Sequence, residues 1–270
     1  MILIYILLAV VLIPWLYGFY ISNDLSVKNG DLTKYKNMLV VYPHPDDETL
    51  ASGGIIRNFS DLQRDVTLIV LTRGEKGNDD AHLDNSLKKI REQELQSAAQ
   101  TLGVKKIILE DFGDGELSKN KKEVQAYLQK QIVDIKPDLI LTYDLAGLYG
   151  HADHIVTSEI LTDLVIKKYP HIALIYAALP KKTLSMITLP EHMAKDPAYA
   201  KRRVTPTMKI WIGTNIYYRI RALYRYRSQL YSFRKSFPIP WIPLWYYYSM
   251  QVFEYYHNAH EPSHTPYMVQ

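Results

Sequence analysis

The chain of 270 residues contains no cysteine, so neither a disulfide framework nor a thiolate metal site is available to it. No Gly-x-Gly-x-x-Gly follows its first apolar run, and no glycine-rich loop ends in Gly-Lys-Ser/Thr. Nucleotide binding therefore lacks its usual phosphate cradle. There is no internal repeat and no low-complexity tract. Acidic residues are scarce in one place. Residues 191–237 carry eleven Lys/Arg against two Asp/Glu, a local +9, which leaves −5 for the rest of a chain whose total is +4. Such a basic, aromatic-rich stretch suits nucleic acid, anionic lipid head groups or phosphorylated substrates.

Charge is missing altogether from residues 1–21, which are nearly all apolar. About 20 such residues span a bilayer as a helix, and Trp15, Tyr17, Phe19 and Tyr20 crowd the end where interfacial aromatics belong. A cleaved signal peptide has a basic start and a small-residue cleavage site, and neither is present. The reading is an uncleaved single-pass anchor over 1–22, which favours a membrane over nucleic acid as partner. Lys28, Lys34 and Lys36 follow the span and no Lys or Arg precedes it, so the positive-inside rule puts the body on the cytoplasmic side. Residues 23–37 read as a polar linker.

Strands and helices then alternate. Apolar runs at 38–43, 65–72, 105–110, 137–144 and 172–177 read as strands, with helices near 48–59, 85–102, 119–135 and up to about 168. Gly53 and Gly54 are expected to let the first of these helices lie close on the sheet. The alternation implies an α/β fold, a Rossmann-like doubly wound parallel sheet of order 3-2-1-4-5 with right-handed crossovers. In such sheets ligands bind beyond the carboxyl ends of strands, where the order reverses. Strands one and four flank that point.

The turns after those two strands are the ones rich in ionisable groups. Pro43-His44-Pro45-Asp46-Asp47-Glu48 ends the first strand, and Gly147-Leu148-Tyr149-Gly150-His151-Ala152-Asp153-His154 follows the fourth. A histidine beside three consecutive carboxylates contributes nothing to an apolar core and is costly to bury unless a cation sits among them. His44, Asp47 and His154 supply the three protein ligands of a catalytic zinc site with one position open. Asp46 and His151 remain as candidate base and acid for hydrolysis. Two histidines and one carboxylate equally match an iron(II) facial triad, so Zn2+ is the expected ion and Fe2+ fits the same set.

These two motifs, in this order and context, resemble the PIG-L/LmbE-like family of zinc-dependent N-deacetylases. The resemblance covers residues 38–180. Supporting matches are Thr72-Arg73-Gly74-Glu75, Arg91-x-x-Glu94-x-x-x-Ala98 ending at Leu102-Gly103, Asp114-Gly115, and the weaker Ser228-Gln229. It implies that His44, Asp47 and His154 hold zinc and Asp46 is the general base. It further implies that His151, as imidazolium, steadies the oxyanion and protonates the leaving amine. By the same resemblance Asp153 orients a histidine, Arg73 and Asp114 contact sugar hydroxyls, and Tyr149 closes over the carbonyl. Ala152 stands where the family often has proline, which bears on loop rigidity rather than chemistry.

The implied activity is removal of the N-acetyl group from an N-acetylated amino sugar, an N-acetylglucosaminyl conjugate that the anchor suggests is lipid-linked. Two alternatives stay open: a membrane-tethered sugar- or lipid-binding module without activity, and hydrolysis of another bond. Residues 181–270 form a basic, aromatic-rich extension. Its block Phe237–Tyr248 is too broken by proline to span a membrane, and suits either a membrane interface or an aromatic cap on the core. His82 reads as a surface residue, and His257, His260 and His264 as part of a solvated tail.

Overall fold

The structure, a computed structural model, describes residues 1–77, 84–184, 197–237 and 239–261. His82 and His264 lie outside these residues. Helix α1 (Ile2–Ser22) precedes strand β1 (Asn37–Tyr42). Helix α2 (Asp47–Asp61), β2 (Asp65–Val70), α3 (Asp84–Leu102), β3 (Lys106–Leu109), α4 (Lys121–Ile135) and β4 (Leu139–Tyr143) follow in alternation. The single turn Gly147–Gly150 leads to α5 (Ala152–Lys168) and β5 (Ala173–Ala178).

The parallel strands are apolar on both faces because helices cover both. Met38, Val40 and Tyr42 pack on the α2/α3 side, and Leu39 and Val41 on the α4/α5 side. The observed order is β3-β2-β1-β4-β5-β7-β6, with β7 (Phe253–Asn258) running antiparallel to β5 and β6 (Met208–Trp211) antiparallel to β7. The sheet is therefore mixed and seven-stranded, and its order differs from the five-stranded one expected. The two added strands come from the basic extension, where short segments interrupted by aromatics and prolines hide a strand period. β1 and β4 are neighbours, so the reversal of strand order falls between the two motif-bearing turns.

Pairing with β5 also corrects the reading of the C-terminal histidines. His257 lies in β7, buried, with its Nδ1 2.9 Å from Thr205 O. His260 Nε2 reaches Ile172 O at 3.1 Å. Gly53 and Gly54 do allow a close approach, Gly54 to the end of β6 beside β7 and Gly53 to the basic extension. A Cβ on Gly54 would sit 2.5 Å from Ile212, and one on Gly53 3.0 Å from Arg219.

The expected membrane anchor is not carried by the structure. Among the described residues no helix is long and apolar enough to cross a membrane. The second half of α1 is instead docked on the chain's own C-terminal region. Trp15 Nε1 donates to Ser249 Oγ at 3.0 Å, Tyr246 Oη to Val11 O at 2.8 Å, and Asn23 Nδ2 to Met250 O at 2.7 Å. Gly18 fits against Met250, leaving no room for a Cβ. With the single-pass anchor goes the orientation deduced from it.

Beyond β5, β6 leads to α6 (Ile216–Leu223), α7 (Leu230–Lys235) and α8 (Leu244–Ser249) before β7 closes the sheet. Helix α6 packs on α2 and α3, so the extension forms part of the wall behind the first motif.

Candidate active site

At the end of β1 the backbone turns sharply. Asp46 adopts φ +100°, a left-handed conformation costly for any residue with a Cβ, and then caps α2. The turn is over-determined by hydrogen bonds. His44 N–H donates to Asp47 Oδ2 (2.9 Å), Asp46 N–H to Glu48 Oε2 (3.1 Å), and Arg91 from α3 reaches Asp46 Oδ2 (2.7 Å) and Gly74 O (2.8 Å). Asp47 and Glu48 occupy the first turn of α2, where the helix dipole favours negative charge.

The second turn is also bent. Leu148 has φ +62°, and His151 serves as N-cap of α5, its Nδ1 accepting from the Asp153 N–H at 3.2 Å. That bond leaves Nε2 as the nitrogen that carries the proton in a neutral ring.

The two turns meet on their donor atoms. His44 Nδ1 lies 3.2 Å from His154 Nε2, and Asp47 oxygens lie 3.4 Å from each of these nitrogens. Ligands ~2.1 Å from a tetrahedral ion stand ~3.4 Å apart along the tetrahedron's edges. The three residues thus fit a divalent ion by spacing as well as by donor chemistry. The other nitrogen of His44, Nε2, faces Asp114 Oδ1 (3.1 Å) and Asp153 Oδ2 (3.2 Å). Two broader groupings, His44 with His151 and His154 and His44 with Asp114 and Asp153, also bring ligand atoms within 4.8 Å. The second of these spends Nε2 of His44 and so supports the ring rather than competing for the ion.

Electrostatics point the same way. Burial works against the proton on His44, but hydrogen bonds to Asp114, Asp153 and Asp47 outweigh it and raise its pKa well above the usual value. His154, with burial dominant, falls to about 3. Burial pushes Asp46 well up, with Arg91 opposing and Asp47 and Glu48 adding to the rise. Asp47 is held low by the two histidines in spite of burial. Buried carboxylates crowded on buried imidazoles are the environment a cation relieves.

Of the remaining expected site residues, Asp153 is fully buried and also accepts from Gly115 N–H (2.6 Å) and Leu117 N–H (3.2 Å), so it is fixed before it touches His44. Tyr149 lies over His154, ring centroids 4.9 Å apart. Asp114 is engaged by His44 and by the Lys76 N–H (2.9 Å). Arg73 is turned aside onto Glu92 at 2.5 Å. His151 stands 4.7 Å from the His44 ring, and burial together with that neighbour lowers its pKa, so the resting ring is neutral rather than an imidazolium.

Four further residues shape this site; Arg91 and Ser228 belong to the supporting matches named above without a role attached, and Tyr143 and Tyr226 carry no motif signal. Tyr143, the last residue of β4, donates to Asp47 Oδ1 (2.8 Å) and stacks on His154 at 4.4 Å. Arg91 reads in the sequence only as part of a helix pattern. Tyr226 donates to Glu48 Oε1 over 2.6 Å, and Ser228 to Glu94 Oε2 over 2.7 Å.

Fold and site together define a class: an α/β protein with a buried centre of histidines and carboxylates at the carboxyl ends of its parallel strands. Residues 39–165 match the family model for PIG-L, GlcNAc-PI de-N-acetylase, and the chain carries a PIG-L family domain. It is 31% identical over 133 residues to a probable N-acetyl-alpha-D-glucosaminyl L-malate deacetylase 2 of Bacillus anthracis, a match covering 47% of this chain and 58% of that one. It is 35% identical over 132 residues to the diacetylchitobiose deacetylase of Thermococcus kodakarensis, covering 47% and 48%. The matches thus span about half the length of these curated relatives. The solved N,N'-diacetylchitobiose deacetylase of Pyrococcus horikoshii shares the fold, with TM-score 0.59 and 23% identity over 78% of this chain and 75% of that one.

Proposed function

We propose that this protein is a metal-dependent N-deacetylase that releases acetate from an N-acetylglucosaminyl conjugate. The observation that carries the reading is the convergence of His44 Nδ1, His154 Nε2 and Asp47 on one point, with Asp46 beside them and held by Arg91. The names of the relatives, deacetylases of glucosamine-containing compounds, support the substrate class. His44, Asp47 and His154 would hold the ion; zinc is the expected one, and its contribution when bound is Lewis acidity toward water and carbonyl oxygen.

The protein's own groups do the rest. Asp46 takes the proton of the attacking water as general base. Arg91 keeps Oδ2 in place, and Oδ1 has no hydrogen bond among the described residues. His151 offers an N–H at Nε2 to the oxygen on which charge develops, a donor aimed at the transition state. The proton that Asp46 has taken then passes to the departing amine, because a neutral His151 has only its Nε2 proton and would be left as an imidazolate by giving it up. Asp153 and Asp114 orient His44 through Nε2. Tyr149 covers the opening above His154 and limits water. Arg73, released from Glu92, is the long donor available for a sugar hydroxyl.

The conjugate is lipid-linked in this reading, because exposed Trp241, Trp245 and Tyr231 stand on the same basic extension that forms the site's outer wall. The test is acetate release by the full chain from N-acetylglucosaminyl conjugates with and without a lipid aglycone. Turnover on neither sinks the deacetylase reading. Preference for the water-soluble conjugate sinks only the lipid-linked form.

A further inference from the structure

Helix α6 and the segment that follows it sort their side chains by charge. Arg219 points inward, is buried, and spends its guanidinium on Thr49 O (3.1 Å), on Leu50 O and on Glu254 (3.5 Å). Tyr226 is fully buried, and its hydroxyl ends on Glu48 of the first motif. At Tyr226 the backbone has left the helix (φ −80°, ψ 61°). Arg225 and Arg227, its neighbours on either side, are exposed. With Arg221, also exposed, they line one cavity of about 600 Å³ whose other walls are Ile220, Tyr224 and Leu230.

Among the described residues the three guanidiniums have no counter-charge. Arg57, Arg73, Arg91, Arg202 and Arg219 each pair with a carboxylate. No acidic side chain among the described residues lies within ion-pair distance of Arg221, Arg225 or Arg227. Arg221 rests over the ring of Tyr217, 5.4 Å from its centroid, which leaves its N–H groups unspent. Three like charges on one concave surface repel one another unless an anion joins them, and the field is focused by the low-dielectric walls. A carboxylate has two coplanar oxygens and is satisfied by a single arginine fork. A phosphate presents oxygens in several directions and takes forks from several arginines at once.

We propose that this cavity is a binding site for a phosphate group, monoester or diester, carried by the ligand this protein handles. Its volume lies within the ~300–1,000 Å³ usual for small-molecule sites, enough for a phosphate with a sugar or polyol attached. A polynucleotide needs a track of cations rather than one basin. The cavity adjoins the site through its own backbone: Tyr226 ends on Glu48, and the Ser228 N–H and hydroxyl end on Glu94, one helical turn beyond Arg91. In this way it deepens the deacetylase reading by naming the anionic part of the substrate, while the binding itself is measured without turnover. A phosphate on a soluble sugar and a phosphate in a lipid head group present the same chemistry here. Tyr224 Oη accepts from the Trp245 N–H (3.3 Å), so the cavity wall runs into the exposed aromatic helix, on the side where a lipid would lie.

The test is calorimetric titration of the full chain with inorganic phosphate and glycerol 3-phosphate in one arm. In the other, co-sedimentation uses vesicles of phosphatidylcholine alone or mixed with phosphatidylglycerol. Saturable binding of the soluble anions, about tenfold weaker in Arg225→Gln and again in Arg227→Gln, supports a soluble phosphate. Arginine-dependent binding confined to the mixed vesicles supports a head group. Arg225→Lys, which keeps charge but loses the fork, should fall between wild type and Arg225→Gln. Lys130→Gln, an equal charge change on α4, should leave binding unaltered. Absence of binding in both arms, or equal losses in Lys130→Gln and the arginine variants, overturns the proposal even if the protein deacetylates.

Discussion

Arg91 donates to Asp46 Oδ2 over 2.7 Å, and both side chains are buried at the edge of the His44–Asp47–His154 cluster. The pair explains how Asp46 tolerates φ +100°. Its carboxylate is tied to α3, its N–H to Glu48, and its carbonyl accepts from the Leu50 N–H (2.9 Å) in the first turn of α2. Strain of this kind persists where surrounding structure over-determines it, which is common at reacting groups. Asp46→Asn keeps a residue that tolerates the left-handed region but cannot accept a proton. Turnover should drop by ~10²–10⁴-fold, with metal content unchanged. Activity within a few-fold of wild type would remove Asp46 as the base.

Arg91 itself gives the second prediction. Arg91→Lys preserves a positive charge but cannot bind Gly74 O and Asp46 Oδ2 together, because a lysine lacks the planar fork. We expect kcat to fall by about tenfold or more while KM and bound metal stay near wild type, since Asp46 would lose its orientation rather than its identity. If kcat is unaltered in a variant shown to melt cooperatively, Asp46 does not depend on Arg91.

The third concerns the ion. Purified protein should carry one divalent ion per chain, and His154→Ala should carry none, by elemental analysis. Asp153→Asn is the finer probe. It disturbs the hydrogen bond to His44 Nε2 without touching a ligand atom, so affinity should weaken by ~10–100-fold in a competition titration with a chelator. Equal affinity in both proteins would mean that Asp114 alone orients His44.

Much of the fold, and the pairing of the two ionisable turns, is legible in the sequence. Strand-to-helix turns rich in His and Asp announce themselves because such groups have no other reason to follow an apolar run. The alternation of apolar strands with helices then places two such turns side by side. What could not be read has a common cause: contacts made by residues that look ordinary alone. Tyr143 ends a buried strand like any aromatic, yet its hydroxyl meets Asp47. Glu254 lies in a strand of five polar or aromatic residues after Phe253, with no period to announce it. The apolar N-terminal run shows the converse limit. Composition reports that it is apolar throughout, but not that its second half packs on Ser249 and Met250.

The last prediction tests how the C-terminal region holds the catalytic turn. Glu254, in β7, is buried. It accepts from the Gly54 N–H (2.7 Å), the Ile55 N–H (2.8 Å) and the Tyr256 hydroxyl (2.8 Å), and it faces Arg219 at 3.5 Å. Arg219 in turn reaches Thr49 O and Leu50 O, so one ion pair clasps α2 from the side just behind Asp46–Glu48. Removing a single partner from a buried pair leaves an uncompensated charge, which costs about 3–5 kcal/mol. Glu254→Ala should lower unfolding free energy by that amount in urea, with Glu254→Gln less affected because its amide oxygen still accepts from α2. In Arg219→Met/Glu254→Gln no charge is stranded, so the loss should be smaller than the sum of the single losses. A Glu254→Ala protein within ~1 kcal/mol of wild type would show that the clasp is dispensable and that the turn is held from the α3 side, by Arg91, alone.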